Sequence, residues 1–180
     1  MLKNLNNYQI VVILWGAICF LGFASSQFFP FLIEINSIFG DSRFSLFGWL
    51  ILTAIGLFYQ AKLMWYPNFA SIASQVIWGM VGIGGWIFTY FKLYGYFQSQ
   101  IKPDSGWLFL CAVAMIFTAI VNKNNLSYYF LASLYLIFGV LIQMTKLPFE
   151  LVIVGTIFLI LGITDAYLEH SPWRKGLAEV

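Results

Sequence analysis

The sequence predicts an all-α protein, a polytopic transmembrane helical bundle of about six spans, and three observations predict it. The chain has 180 residues and is 61% apolar and 9% charged, against about 45–50% and about 25% in an ordinary soluble domain. Nearly all of its Lys, Arg, Asp and Glu fall in short clusters between long uncharged runs. Those runs approach the roughly 20 residues a helix needs to cross hydrocarbon. In lipid each backbone polar group must be satisfied internally, which a helix does alone.

The spans are read near residues 8–29, 44–61, 70–91, 105–121, 126–144 and 147–167, as a single membrane domain over 1–180. The first begins after Lys3 and reaches the small residues Ala24, Ser25 and Ser26, an outline shared with secretory signals. Apolar residues continue past that point through Phe28, Phe29, Phe31, Leu32 and Ile33, so an uncleaved first helix is expected. Residues 31–40 then place Phe31, Ile35, Ile38 and Phe39 largely opposite Glu34, Ser37 and the following Asp41, the spacing of a short interfacial helix. The remaining connections, near 62–68, 92–104, 122–125 and 145–146, leave no room for a soluble domain.

Orientation follows the side richer in Lys and Arg. Lys3, Lys62, Lys123, Arg174 and Lys175 fall on the N-terminal side, against Arg43, Lys92, Lys102 and Lys146. The adjacent Arg174 and Lys175 tip the expectation towards cytoplasmic termini in a bacterial or archaeal cell membrane. A net charge of +2 without a basic stripe excludes nucleic acid as a partner. Membrane lipid, with protein partners or further copies of the chain, is the expected surrounding.

Aromatic residues form 20% of the chain. Tyr8, Trp65, Tyr66, Tyr90, Trp107, Tyr128, Tyr129 and Tyr167 stand where spans meet water, as an aromatic belt does. Trp15, Trp49, Trp78 and Trp86 lie deeper, where they either pack between helices or line a hydrophobic pocket. The stretches Gly48-Trp49-Leu50-Ile51-Leu52-Thr53-Ala54 and Gly106-Trp107-Leu108-Phe109-Leu110-Cys111-Ala112 share five of seven residues. The likeness fades after them, so a chance match competes with an internal repeat.

Ionisable residues inside spans cost about 2.5–3.5 kcal/mol at the centre of a helix and often mark function. Glu150 follows Pro148 at the start of the last span, where the helix dipole favours a carboxylate. Asp165 lies towards the end of that span, where the same dipole opposes it, and is a candidate proton or solute contact. The two acids are about 22 Å apart along the helix, too far to act as a pair. Gln75 is a third candidate contact, and Gln60 and Gln143 are similar isolated amides.

Small residues let membrane helices approach closely. Ser71, Ser74, Gly82 and Gly85 share a face of the third span with Trp78 and Thr89, and Gly22 and Ser26 repeat the idea in the first. Cys19 and Cys111 are widely separated within apolar runs and read as packing residues. His170 is the only histidine and stands in the polar tail, so no haem, metal or other cofactor is expected. No nucleophile elbow, phosphate-binding loop or acid cluster is present, and the balance is against an enzyme.

Residues 44–91 carry a further outline: Phe44-Ser45-Leu46-Phe47-Gly48-Trp49, then Gly56, Tyr59 and Pro67, and Gln75, Trp78 and Gly82 in the next span. It resembles small membrane proteins related to subunit I of haem–copper oxidases, in which a histidine precedes an apolar-Gly-Trp span. The stretch Asp41 to Phe44, where that haem ligand would stand, holds no histidine. The resemblance therefore implies a ligand-less relative in a respiratory or electron-transfer assembly, with neither haem nor copper. The function expected is a non-enzymatic subunit of a membrane complex, with a small-solute or ion carrier as the alternative.

Overall fold

The computed structural model describes residues 6–35, 43–64, 69–93, 100–123 and 125–169. Among the described residues six helices follow one another: α1 (Asn7–Ile35), α2 (Arg43–Met64), α3 (Phe69–Leu93), α4 (Pro103–Val121), α5 (Leu126–Met144) and α6 (Glu150–Glu169). All regular structure among the described residues is helical. Among the described residues, five of the helices, α1, α3, α4, α5 and α6, contain a stretch long and apolar enough to cross a membrane. The chain is thus a multi-pass helical membrane protein. In α2, a helix of 22 residues about 33 Å long, the apolar stretch among the described residues is Ile51–Leu63.

Helix α1 has 29 residues, about 44 Å at 1.5 Å each, and exceeds the roughly 30 Å of hydrocarbon. It runs through Pro30 to Ile35. A membrane helix tolerates the donor a proline removes, because neighbouring groups and small local adjustments satisfy the freed carbonyl. Residues 31–35, expected to open a separate interfacial helix, are therefore its continuation, and 36–40 lie outside the described residues.

Local chemistry sets several helix ends. Asn6 and Gln9 cap α1 reciprocally: the Asn6 N–H donates to Gln9 Oε1 at 3.0 Å and the Gln9 N–H to Asn6 Oδ1 at 2.9 Å. This exchange satisfies two donors at the helix start. Pro103 occupies the first turn of α4 with Asp104 beside it, where a proline loses no hydrogen bond and an acid meets the positive end of the dipole. Asn125 caps α5 by accepting from the Ser127 N–H at 3.0 Å. Between α4 and α5 the chain reverses through Lys123, whose φ of 58° is left-handed, as the residue after a helix C-cap often is.

The helices group into two compact units, one of α1, α2 and α6 and one of α3, α4 and α5. In the first, α1 packs on both α6 and α2. Phe23 stacks on Phe158 of α6 at 5.5 Å and meets Trp49 of α2 edge-on at 5.1 Å. In the second, α4 lies against both α3 and α5. Leu108, Cys111, Ala112, Met115 and Ala119 of α4 are buried, as are Leu131, Ala132, Tyr135 and Ile142 of α5.

One packing device occurs in both units. The ring of Trp49 in α2 lies over Gly22 of α1, and the ring of Trp107 in α4 lies over Gly85 of α3. Each tryptophan belongs to one of the two matching Gly-Trp stretches, and each covers a glycine of the preceding helix. A side chain at either glycine would collide with the indole. The likeness between the stretches thus has a common local use, a flat ring seated where a neighbouring helix has no Cβ.

Candidate functional site

The close approach of α1 and α6 builds the first cluster of polar groups. The helices run antiparallel, with Gly16 against Phe158 and Leu159, Gly155 against Phe20, and Gly162 against Val12 and Gly16. A Cβ on Gly162 would stand 2.9 Å from the Val12 carbonyl oxygen, and one on Gly155 would stand 3.0 Å from the Phe20 Cα. These are backbone atoms, so the interface depends on the missing side chains. Gly155 and Gly162 are seven residues apart, on one face of α6, and with Gly16 they form a small-residue seam that the expected packing set of Gly22, Ser26, Ser71, Ser74, Gly82 and Gly85 did not include. The seven-residue interval was the available signal.

This register brings the end of α6 beside the start of α1. Asp165 is 1% exposed and Gln9 is 2% exposed. The Tyr8 hydroxyl donates to Asp165 Oδ2 at 2.7 Å, and Gln9 Nε2 donates to the Ala166 carbonyl at 2.9 Å. Asp165 opposes the dipole of its own helix, yet through Tyr8 it is bonded to the first turn of α1, the positive end of that helix's dipole. Antiparallel packing thus accounts for an acid that its own helix disfavours. Tyr8, assigned from sequence to the aromatic belt, is the hydrogen-bond donor to this carboxylate. Neither Tyr8 as the partner of Asp165 nor Gln9 as that of the Ala166 carbonyl was legible, because 157 residues separate each bonded pair.

The other end of α1 carries a smaller polar contact with α6, in which the Leu151 N–H donates to Gln27 Oε1 at 3.2 Å. Glu150 is half-buried in the first turn of α6. It is separated from Asp165 by most of the helix, as its position requires. Helix α2 is tied to α1 by Trp15 Nε1 donating to Gln60 Oε1 at 2.7 Å and by Asn7 Nδ2 donating to the Leu63 carbonyl at 3.0 Å. Trp15 and Gln60, two residues with open alternatives in the sequence, satisfy one another between helices.

The second unit has its own polar lock, at the start of α4 and the end of α5. Gln143 Oε1 accepts from the Lys102 N–H at 2.9 Å and from Ser105 Oγ at 2.7 Å, while Gln143 Nε2 donates to the Gln100 carbonyl at 2.9 Å. Lys102 Nζ donates to the Ile142 carbonyl at 2.9 Å and also to that of Thr145. A cation therefore closes the carbonyl end of α5, where the dipole favours it. Every one of these bonds serves helix ends, and the cluster has the character of a structural clasp.

Of the residues expected along α3, Ser74 Oγ accepts from Asn122 Nδ2 at 3.2 Å, and Thr89 Oγ1 accepts from Trp107 Nε1 at 2.9 Å. Gly85 lies under Trp107, whereas Gly82 faces open space: among the described residues no heavy atom stands within 4 Å of a Cβ built there. Gln75 is half-buried on this helix and belongs to a different unit from Asp165 and Glu150. Ser26 and Ser71 fall within α1 and α3, but their side chains lie outside the described set. Among the described residues no three His, Cys, Asp or Glu side chains gather as a metal site would require. Compared with protein-family models, with curated proteins and with solved structures, the chain matches none.

Proposed function

We propose that the chain is a non-enzymatic subunit of a larger membrane assembly and that α3 is the helix through which it associates. The observation that carries this reading is the open glycine face of α3. Only 6% of the residues in its spanning stretch Ile72–Thr89 are buried within the chain, against 33–56% in the other spans, and it is also the least apolar of the five. Gly79 and Gly82, three residues apart on one side of the helix, have nothing within 4 Å of an added Cβ among the described residues, and neither has Gly84 on another side. Ile72, Val76, Met80, Ile83 and Ile87 are exposed along the same helix.

Lipid tails are as apolar as leucine, so hydrophobicity alone does not join helices within a bilayer. Close van der Waals packing does, and bare glycine backbone is where it is tightest. A span less apolar than the other four, rich in glycine and little covered by the described residues of its own unit suits a neighbouring helix better than loose lipid. The outline of residues 44–91 directs the search for that neighbour first to respiratory assemblies. In this reading both termini face the cytoplasm, since Arg174 and Lys175 stand together after the last span.

The test is gentle-detergent purification at native expression, followed by mass spectrometry of what co-migrates, for the wild type and for Gly79→Leu with Gly82→Leu. A stoichiometric partner that the double variant loses is the expected result. A solitary, monodisperse wild-type species would overturn the subunit reading.

A further inference from the structure

We infer that Asp165 and Tyr8 form a proton-binding site, with Asp165 as the buried acceptor and the Tyr8 hydroxyl as its connection to the membrane face. This inference is independent of the association surface on α3.

Three features of the geometry lead to it. Asp165 is 1% exposed and lies within the spanning stretch of α6, a position in which an ionisable group is expensive and commonly serves transport of charge. Its Oδ2 lies 2.7 Å from the Tyr8 hydroxyl, a separation that suits a hydrogen bond in either direction. Tyr8 is only partly buried, and it is the second residue of α1, so the phenol links the buried carboxylate to the partly exposed start of that helix.

A phenol both donates and accepts, whereas a carboxylate only accepts until it is protonated. With Asp165 ionised, the Tyr8 O–H donates to Oδ2, as observed. With a proton on Oδ2, the carboxyl O–H donates and the Tyr8 oxygen accepts, while the phenolic proton turns outward. Proton release retraces the exchange: Oδ2–H breaks as the Tyr8 oxygen gains that proton and gives up its own to the outer side. Tyr8 ends each cycle neutral, and the carboxyl group alone changes charge. Gln9 holds the frame still, because its side chain is committed at both ends, to the Asn6 N–H and the Ala166 carbonyl.

Among the described residues, the neighbouring elements carry other titratable groups. On α1 the group in contact is Tyr8. On α2, whose end is tied to Asn7, Tyr59 and Lys62 are exposed, and on α6 Tyr167 is exposed as well. Glu169 and His170 follow on the same strand of sequence, outside the described side chains.

The experiment is infrared difference spectroscopy of the full chain in lipid, titrated across about pH 4 to 10, the range that perturbed carboxyl groups cover. The wild type is expected to show a protonated-carboxyl band that appears and disappears with pH and is lost in Asp165→Asn. Tyr8→Phe should keep the band, shift its frequency because the phenol is gone, and slow its response to a pH jump by about tenfold or more, as expected for loss of a positioned proton-transfer group. Asp165→Glu retains a carboxyl group and should move the band, which preserves the test if Asp165→Asn fails to fold. A band that does not titrate, or one unchanged in frequency in both Asp165→Glu and Tyr8→Phe, would overturn the assignment.

Discussion

Replacing Gly162 by valine probes the contact on which the first unit rests. An added Cβ meets the Val12 carbonyl oxygen at 2.9 Å and the Gly16 Cα at 3.3 Å. Both are backbone atoms, so no rotamer change relieves the collision and the helices must separate by several tenths of an ångström. Overpacking of this kind costs about 1–3 kcal/mol, and valine brings further carbons to the crossing. Its better helix propensity returns only about 0.3 kcal/mol relative to glycine. The net loss expected is about 1–3 kcal/mol, with the Tyr8–Asp165 bond, one turn away, loosened as well. Gly82→Val makes the same chemical change on α3 where nothing lies within 4 Å, and should alter stability by less than about 0.5 kcal/mol. Unfolding of both variants, followed by circular dichroism in mild detergent, measures the difference. Equal stability of the two would refute the reasoning, because it would mean that the α1–α6 backbone approach carries no energy.

Two other substitutions address the second unit. Lys123 holds a left-handed φ of 58°, which costs a non-glycine residue about 1–2 kcal/mol; Lys123→Gly should raise the unfolding midpoint, and an unchanged or lower midpoint would contradict that strain. Gln143→Leu strips acceptors from the Lys102 N–H and Ser105 Oγ and a donor from the Gln100 carbonyl. It should cost about 1–3 kcal/mol through the groups it strands, visible as faster proteolysis between α3 and α4.

Much of the fold was legible because lipid leaves the backbone one economical choice. Long uncharged runs must be helical, and the predicted limits 126–144 coincide with α5, where Asn125 supplies a cap that its residue type already suggests. Helix α4 instead begins at Pro103, inside the stretch expected as a connection, whereas the Pro148–Glu150 approach to α6 was open to reading. The end of the first span was not. Proline at 30 and the charge at Glu34 suggest a break, yet α1 continues to Ile35 because a proline within a membrane helix need not end it.

The candidate site was legible only in part. Asp165 stood out by itself, since a carboxylate in an apolar helix is costly wherever that helix packs. Its partners did not, and neither did the seam of Gly16, Gly155 and Gly162 that brings them within reach. A soluble helix advertises its buried face by alternating apolar and polar residues, but a helix in lipid is apolar on all sides, so its sequence does not say which side meets protein. The sequence by itself determined that this chain spans a membrane as helices, about where they begin and end, and which few polar groups lie within them. Only the tertiary structure decided that α1 lies against α6, that α4 lies between α3 and α5, and that Tyr8 meets Asp165, because those choices rest on the fit of glycine, indole and backbone between segments far apart in the chain.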